Sequence, residues 1–203
     1  MSLPDRSIDP KILKSAKDEF MSKGYADASL RAICQSAGVT TGALYKRFPN
    51  KEALFSAVLE PTLNDIERIT VETEKRDYDY LEKDQTQIIW DMSEETLQNL
   101  VNFVYDRYDG FRLLFCCAEG SPYGNFLHDF VTDYTKKTMA FTEAASKRSG
   151  FEVQVDELEL HMLLTAFLST LFEPLIHGLS REEALRHCSF VAKLFNWNAV
   201  LGF

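Results

Sequence analysis

Residues 29–49 carry two short helical patterns separated by a tight turn, and this feature constrains the fold more than any other in the chain. Ser29 and Thr40 are favourable N-caps, and Gly38 suits the left-handed backbone that follows a helix C-terminus. Pro49 stops the second pattern. The pattern predicts a helix-turn-helix with one inner apolar stripe. That stripe consists of Leu30, Ile33, Ala37, Val39, Leu44 and Phe48.

Helical spacing also precedes and follows this motif. Pro10 can open a first helix that Gly24 ends, and Asn50 caps a fourth helix whose apolar positions continue past Pro61. Pro61 removes one backbone hydrogen bond and predicts a kink. The polar residues 75–87 are expected to form a connection or a frayed end. Further helices are predicted where caps precede apolar runs, at Ser93, at Asp156 with Glu159, and at Ser180 with Glu183.

The expected architecture is all-α, because no segment alternates convincingly as a strand would. It has an N-terminal three-helix helix-turn-helix domain over residues 8–60, joined by the long kinked helix to a larger helical domain over residues 61–203. With 45% hydrophobic residues the chain is globular, and no run approaches the ~18 apolar residues of a membrane span. The N-terminus MSLPDRSIDP lacks the apolar core of a signal peptide, so a cytoplasmic location is expected.

The charge is divided unevenly along the chain. The net charge is -9, yet residues 1–56 hold nine Lys or Arg and six Asp or Glu, which makes that segment +3 and the rest -12. A basic end on an acidic chain is typical of a protein whose one end binds a polyanion. The acidic part alone is also explained by a solvated surface that aids solubility.

The second helix of the motif can place its N-terminal residues in a DNA major groove. Those residues are small: Thr40, Thr41, Gly42 and Ala43. Hydroxyls can pair with base edges, and methyl groups can contact the thymine methyl. Tyr45, Lys46 and Lys51 are then placed to contact phosphates, Lys51 beside a helix N-terminus that itself favours anions.

The run AGVTTGALYKRFPNKEAL resembles the DNA-binding domain of the tetracycline-repressor (TetR) family, with Gly38-Val39, Gly42, Leu44-Tyr45, Phe48 and Lys51-Glu52 at the family's spacing. The resemblance covers roughly residues 8 to 60. It places Ser29 at a phosphate-contacting position and Thr40, Thr41, Gly42 and Ala43 on the base-facing positions. Arg47 departs from the family's frequent aromatic residue, and either a phosphate contact or simple solvation would explain it.

The same resemblance implies a C-terminal domain that binds a small-molecule effector and dimerises. The chain would be a homodimeric regulator, most commonly a repressor, on a pseudo-palindromic operator in double-stranded DNA. Candidate effector-contacting residues are Tyr105, Phe111, Phe115, Cys116, Tyr123, His128, Tyr134, His161 and Phe167; ordinary core packing is the alternative for each. The dimer surface is expected on the last two helices, through Leu160, Leu164, Phe167, Leu168 and Leu171 on one and Leu185, Phe190, Leu194 and Phe195 on the other.

Two other classes of protein were weighed. A helical enzyme is disfavoured because the sequence has no phosphate-binding glycine loop, no GxSxG and no HExxH. A thiol-based redox sensor would use Cys116 and Cys117, although adjacent helical cysteines are usually buried apolar residues. No cofactor and no metal site is expected, since the four histidines have no metal-ligand spacing.

The kink at Pro61 suggests one route from effector to DNA. An effector changes DNA affinity only if it binds better to one arrangement of the two reading heads than to the other. We hypothesise that the fourth helix bends at Pro61 when effector binds. A fixed kink without any role in switching is the alternative.

Overall fold

The structure is a computed structural model that describes residues 9–85, 89, 92–150 and 154–201. Over these residues the regular secondary structure is entirely helical, as the sequence predicts. The helices are α1 (Asp9–Asp27), α2 (Leu30–Ala37), α3 (Thr41–Tyr45), α4 (Lys51–Glu82), α5 (Glu94–Asp106), α6 (Tyr108–Cys116), α7 (Phe126–Ser149), α8 (Glu157–Ile176), α9 (Arg181–Leu194) and α10 (Trp197–Leu201).

Helix boundaries fall at the capping residues named from the sequence. Gly24 has φ 74° and interrupts α1 three residues before its end. Complete capping boxes, in which side chain and backbone pair reciprocally, open α8 at Asp156 and Glu159 and open α9 at Ser180 and Glu183. These local predictions hold because a cap depends on residues only three positions apart.

The long helix α4 differs from its expected extent. It continues through Pro61 and ends at Glu82, so most of the segment expected to be a connection is helical. Tertiary contacts explain this. Tyr78 packs edge-on against Phe141 with ring centroids 5.4 Å apart, and Leu81 is buried.

Two compact units make up the chain. The first comprises the described residues up to Ile66 together with Arg107–Phe126, and the second comprises Glu67–Asp106 and the described residues from Leu127 onward. The division expected from sequence lay at residue 60. The first unit additionally takes in α6 because the side chains of Leu113, Leu114 and Cys117 enter the same core as Phe20.

The core of the first unit is built around three aromatic rings. Phe20 and Phe55 meet edge to face at 4.8 Å, and Tyr25 lies 5.0 Å from Phe55. The backbone N–H of Tyr25 donates to the Cys117 carbonyl at 2.7 Å, which ties the end of α1 to the end of α6. Lys17 on α1 also pairs with Asp109 on α6 at 2.7 Å.

The second unit has its core on α8. Among the described residues α8 is the one helix long and apolar enough to cross a membrane by length and composition. Eight of its side chains are buried within the unit, which accounts for that apolar character: Leu160, Leu164, Phe167, Leu168, Leu171, Phe172, Pro174 and Leu175.

Candidate nucleic-acid interface

Backbone and capping hydrogen bonds fix the turn between α2 and α3. Gly38 has φ 67° and donates its N–H to the Gln35 carbonyl at 3.3 Å. The N–H of Val39 donates to the Cys34 carbonyl at 3.0 Å. Thr40 then opens α3, its Oγ1 accepting from the N–H of Ala43 at 3.2 Å. Three residues, Gly38, Val39 and Thr40, therefore separate the end of α2 from the start of α3.

The inner stripe predicted from the sequence is confirmed. Ile33 and Leu44 are fully buried in the first unit. The rest of the stripe is partly buried against the same core: Leu30, Ala37, Val39 and Phe48. Leu44 thereby anchors α3, a helix of five residues that its own hydrogen bonds could not hold.

The opposite side of α3 faces solvent. Ala43 is half-buried, and the other residues predicted to touch DNA on this helix and its two ends are exposed: Thr40, Thr41, Gly42, Tyr45 and Lys46. Leu44 packs one side of α3 into the core, whereas Thr41 and Tyr45 on the other side are exposed to solvent. The exposed side carries hydroxyls, a bare backbone at Gly42 and one ammonium group.

Two predicted phosphate-contacting residues also have structural tasks. Ser29 caps α2, its Oγ accepting from the N–H of Ala32 at 3.3 Å, which leaves its own hydroxyl proton available to a phosphate. Lys51 donates from Nζ to the Ala26 carbonyl at 2.8 Å and lies 4.9 Å from the centroid of the Tyr25 ring. Both residues therefore order the surface that they would present to DNA.

Arg47 is neither solvated nor directed outward. Its side chain is 10% exposed and forms an ion pair with Asp9, while Nη1 donates to the Ala43 carbonyl at 3.0 Å. Both interpretations made from the sequence were wrong, because a residue 38 positions away supplies the partner. Arg47 ties α3 to the start of α1.

Sequence reasoning passed over Arg31. It is exposed on the first turn of α2, two residues after Ser29. Its position outside the apolar stripe was the available signal. Arg31 can add a fixed positive charge beside the cap of α2.

The residues proposed to contact an effector are divided between the two units. Phe111, Phe115, Cys116 and Tyr123 belong to the first unit. Phe111 is buried and stacks on Phe115 at 5.9 Å, and the Tyr123 hydroxyl donates to Ser56 Oγ at 3.2 Å. Through these contacts, aromatic side chains of α6 and of the loop after it pack in the first unit, which also contains α3.

The other candidates belong to the second unit. Tyr105 donates its hydroxyl to the Leu179 carbonyl at 2.9 Å, and buried Phe167 meets Trp197 edge to face at 5.5 Å. Burial, with a smaller contribution from the Asp77 carboxylate, raises the pKa of Tyr134 to about 12. His128 and His161 form a ring pair.

The cysteines give little support to a thiol sensor. Cys116 is exposed, whereas Cys34, Cys117 and Cys188 are buried. Desolvation raises the pKa of the Cys116 thiol, and the Arg112 guanidinium opposes this only in part. A thiol with a raised pKa is a poor nucleophile at neutral pH.

The geometry of residues 29–49 is that of a helix-turn-helix with an exposed second helix, on an otherwise helical chain. Residues 12–58 match the family described as bacterial regulatory proteins, tetR family. The N-terminal segment is therefore similar to the DNA-binding domain of that family, and the fold is similar to those of solved regulators.

Similar proteins match this chain over different lengths. The transcriptional regulator UidR of Escherichia coli strain K12 is 41% identical over 58 residues, which are 29% of this chain and 28% of that protein. NalD, the secondary repressor of the MexAB-OprM multidrug efflux pump in Pseudomonas aeruginosa, is 21% identical with TM-score 0.59 over 93% of this chain and 94% of its own. A cysteine mutant of the TetR-family regulator CifR, described with 26 bp operator DNA, is 19% identical with TM-score 0.56 over 97% of this chain and 100% of its own.

Proposed function

We propose that this protein is a DNA-binding transcriptional regulator that reads its operator with the N-terminal half of α3. The observation that carries this proposal is the exposed row Thr40, Thr41 and Gly42 on a helix anchored from behind by Leu44. A short helix fixed by its inner side can enter a major groove without rearranging. In the proposed roles, Thr41 and Gly42 meet bases.

The phosphate contacts of the proposed complex come from both sides of α3. Ser29, Tyr45, Lys46 and Lys51 are the candidates, and Arg31 joins them. Residues 1–56 have a net charge of +3 in a chain of -9, so attraction to DNA is concentrated on this part of the chain. The operator complex described for CifR, a protein of similar fold, supports double-stranded DNA as the partner.

Selection from a random pool of double-stranded DNA tests this proposal. The expected product is an inverted repeat, bound with an affinity that falls steeply as salt rises. Thr41→Ala should change which bases are preferred within each half-site. If Thr41→Ala weakened every selected site equally, α3 would not read bases through Thr41.

We propose that a homodimer forms through the outer side of α8 and α9. The residues expected from the sequence on α8 are wrong for this purpose, because Leu160, Leu164, Phe167, Leu168 and Leu171 are buried within their own unit. Phe190 and Leu194 on α9 remain, and Leu158 and Met162 on α8 join them. Their exposed fractions are 62%, 72%, 67% and 56%. Large exposed apolar side chains on α8 and α9 favour burial against a second copy.

The finer role is repression relieved by a small molecule, in the cytoplasm where bacterial operators lie. The second unit supplies aromatic residues and a few polar groups for an effector site, among them Tyr105, Tyr134 and Phe167. A screen of small molecules for release of the selected operator tests this role. If no compound released the operator, effector control would be contradicted, while the proposal of DNA binding would stand.

A further inference from the structure

His128 on α7 and His161 on α8 form a cross-helix pair in the second unit. Their ring centroids are 5.6 Å apart and their planes meet at 81°. His128 is exposed and His161 is half-buried, so the pair opens to solvent on the His128 side. The effector and DNA roles proposed above do not require two imidazoles at this point.

A buried hydroxyl lies beside one nitrogen of His161. Thr135 Oγ1 donates its single proton to the Val131 carbonyl at 2.7 Å and lies 3.5 Å from His161 Nδ1. Because that proton is already used, Thr135 can accept from His161 only in the tautomer that carries its proton on Nδ1. In that tautomer Nε2 of His161 holds a lone pair that can bind a ligand. A hydrogen bond from the far ring nitrogen is the usual outer contact of a metal-bound histidine.

The separation of the rings is close to that of a chelate. Zinc binds imidazole nitrogen at about 2.0–2.1 Å, which puts the centroids of two imidazoles on one tetrahedral ion about 5 Å apart. The observed centroid separation of 5.6 Å is close to this value. Rotation of the two side chains would have to turn a nitrogen of each ring from the present edge-to-face contact towards one ion.

We propose that His128 and His161 chelate a borderline divalent cation such as Zn²⁺, with water completing the coordination. Among the described residues no three His, Cys, Asp or Glu side chains come together as a metal-binding group. The site is therefore bidentate and weaker than a structural zinc site of four protein ligands. This assignment is independent of the proposed DNA contacts, whereas both histidines are also candidate effector contacts.

The test is a Zn²⁺ titration of the full chain followed by NMR of the histidine ring nitrogens. The expected result is that Zn²⁺ moves the signals of His128 and His161 first, while those of His177 and His187 stay in place. Calorimetry on the same samples gives the affinity, and a rise in the unfolding midpoint with Zn²⁺ gives a second readout.

Matched variants separate chelation from nonspecific binding. His128→Ala should abolish the coupled shift, and His177→Ala, at an exposed histidine after α8, should leave it unchanged. Thr135→Val should weaken Zn²⁺ binding by about tenfold to a hundredfold while Thr135→Ser restores it. The proposal is overturned if the two rings do not respond, if all four histidines respond alike, or if His128→Ala binds as the unaltered protein does.

Discussion

Gly42 has room for a side chain in the folded protein. An added Cβ would come no closer than 4.0 Å to Thr40 Oγ1, and the backbone at Gly42 is helical. Nothing among the described residues thus demands glycine here. A requirement for glycine at this position would come from what approaches α3 from outside.

Gly42→Ala therefore separates folding from DNA reading. We expect unchanged or slightly higher stability, by up to about 0.5–1 kcal/mol, since alanine favours helix. Operator binding should weaken by about 1–3 kcal/mol, the scale of a base contact, because the methyl group intrudes on the groove. Urea unfolding and fluorescence anisotropy measure the two effects. Gln35→Ala, an exposed change on α2, is the control and should alter neither.

We expect the alanine variants of Lys46 and Lys51 to differ in folding stability but to show the same change in the salt dependence of DNA binding. Replacing either lysine by Ala should lower the salt slope of DNA binding by about one, as for one lost phosphate contact. Lys51→Ala should additionally cost about 1 kcal/mol of stability, because it removes the 2.8 Å bond to the Ala26 carbonyl. Lys46→Ala, at an exposed residue, should stay within about 0.5 kcal/mol. An unchanged slope for both variants would move the phosphate contacts elsewhere.

Cys116 tests the redox alternative directly. Partial desolvation raises the pKa of its thiol, so at neutral pH it holds less thiolate than a free cysteine does. We expect slow alkylation by iodoacetamide at pH 7 and a rate that rises with pH beyond the ordinary thiol pKa. Free glutathione gives the reference rate, and Cys116→Ser identifies the reacting residue. Alkylation faster than that of glutathione would revive the thiol sensor.

Helices α4 and α6 are in close contact where Gly110 meets Thr62. A Cβ on Gly110 would lie 1.8 Å from Thr62 Oγ1 and 2.8 Å from Thr62 Cβ. The two helices could not keep this spacing with any larger residue at position 110. The Arg107–Asp65 ion pair, one turn away, strengthens the same contact.

Gly110→Ala should accordingly destabilise the first unit by about 1–3 kcal/mol through overpacking. Thr62→Ala in the same chain should recover part of the loss, since it removes the two outermost clashing atoms. Thermal unfolding followed by circular dichroism measures both. Equal stability of the single variant and the unaltered protein would show that α4 and α6 separate at little cost.

At the scale of elements, sequence predicted what depends on near neighbours. The caps at Ser29, Thr40, Asp156 and Ser180 were predicted because each acts within three residues. The continuation of α4 beyond residue 75 was not predicted, because contacts with α7 hold the polar residues of this segment in a helix. One such contact joins Arg148 Nη2 to the Glu82 carbonyl at 2.8 Å, across 66 residues.

The candidate DNA surface was predictable for a similar reason. Residues 29–51 are contiguous, so spacing alone separated the inner stripe from the exposed row. The partner of Arg47 was not predictable, since Asp9 lies outside the motif. The dimer surface was misassigned on α8 because periodicity identifies the apolar side of a helix. It does not show whether that side packs in the core of its own unit or against a second copy of the chain.

For the whole molecule, the proposed dimer depends on exposed side chains. Leu194→Glu with Met162→Glu should yield a folded monomer, because both positions are exposed in one chain. Leu164→Glu should instead unfold the second unit, since Leu164 is 1% exposed and an unpaired charge there is costly. Sedimentation and circular dichroism distinguish these outcomes. Ala140→Glu, at an exposed position on α7, is the control, and a persistent dimer in the double variant would place the interface elsewhere.

The first unit is assembled from two stretches of chain separated by residues 67–106. Leu113, Leu114 and Cys117 of the later stretch pack in its core, and the N–H of Tyr25 donates to the carbonyl of Cys117. On the ribosome, where domains generally fold as units in order of synthesis, α1 to α3 therefore emerge with their core still open. The reading head closes only after α6 has been made. A nascent chain halted before α6 would carry the whole helix-turn-helix sequence and still lack the packed surface that holds α3 in place.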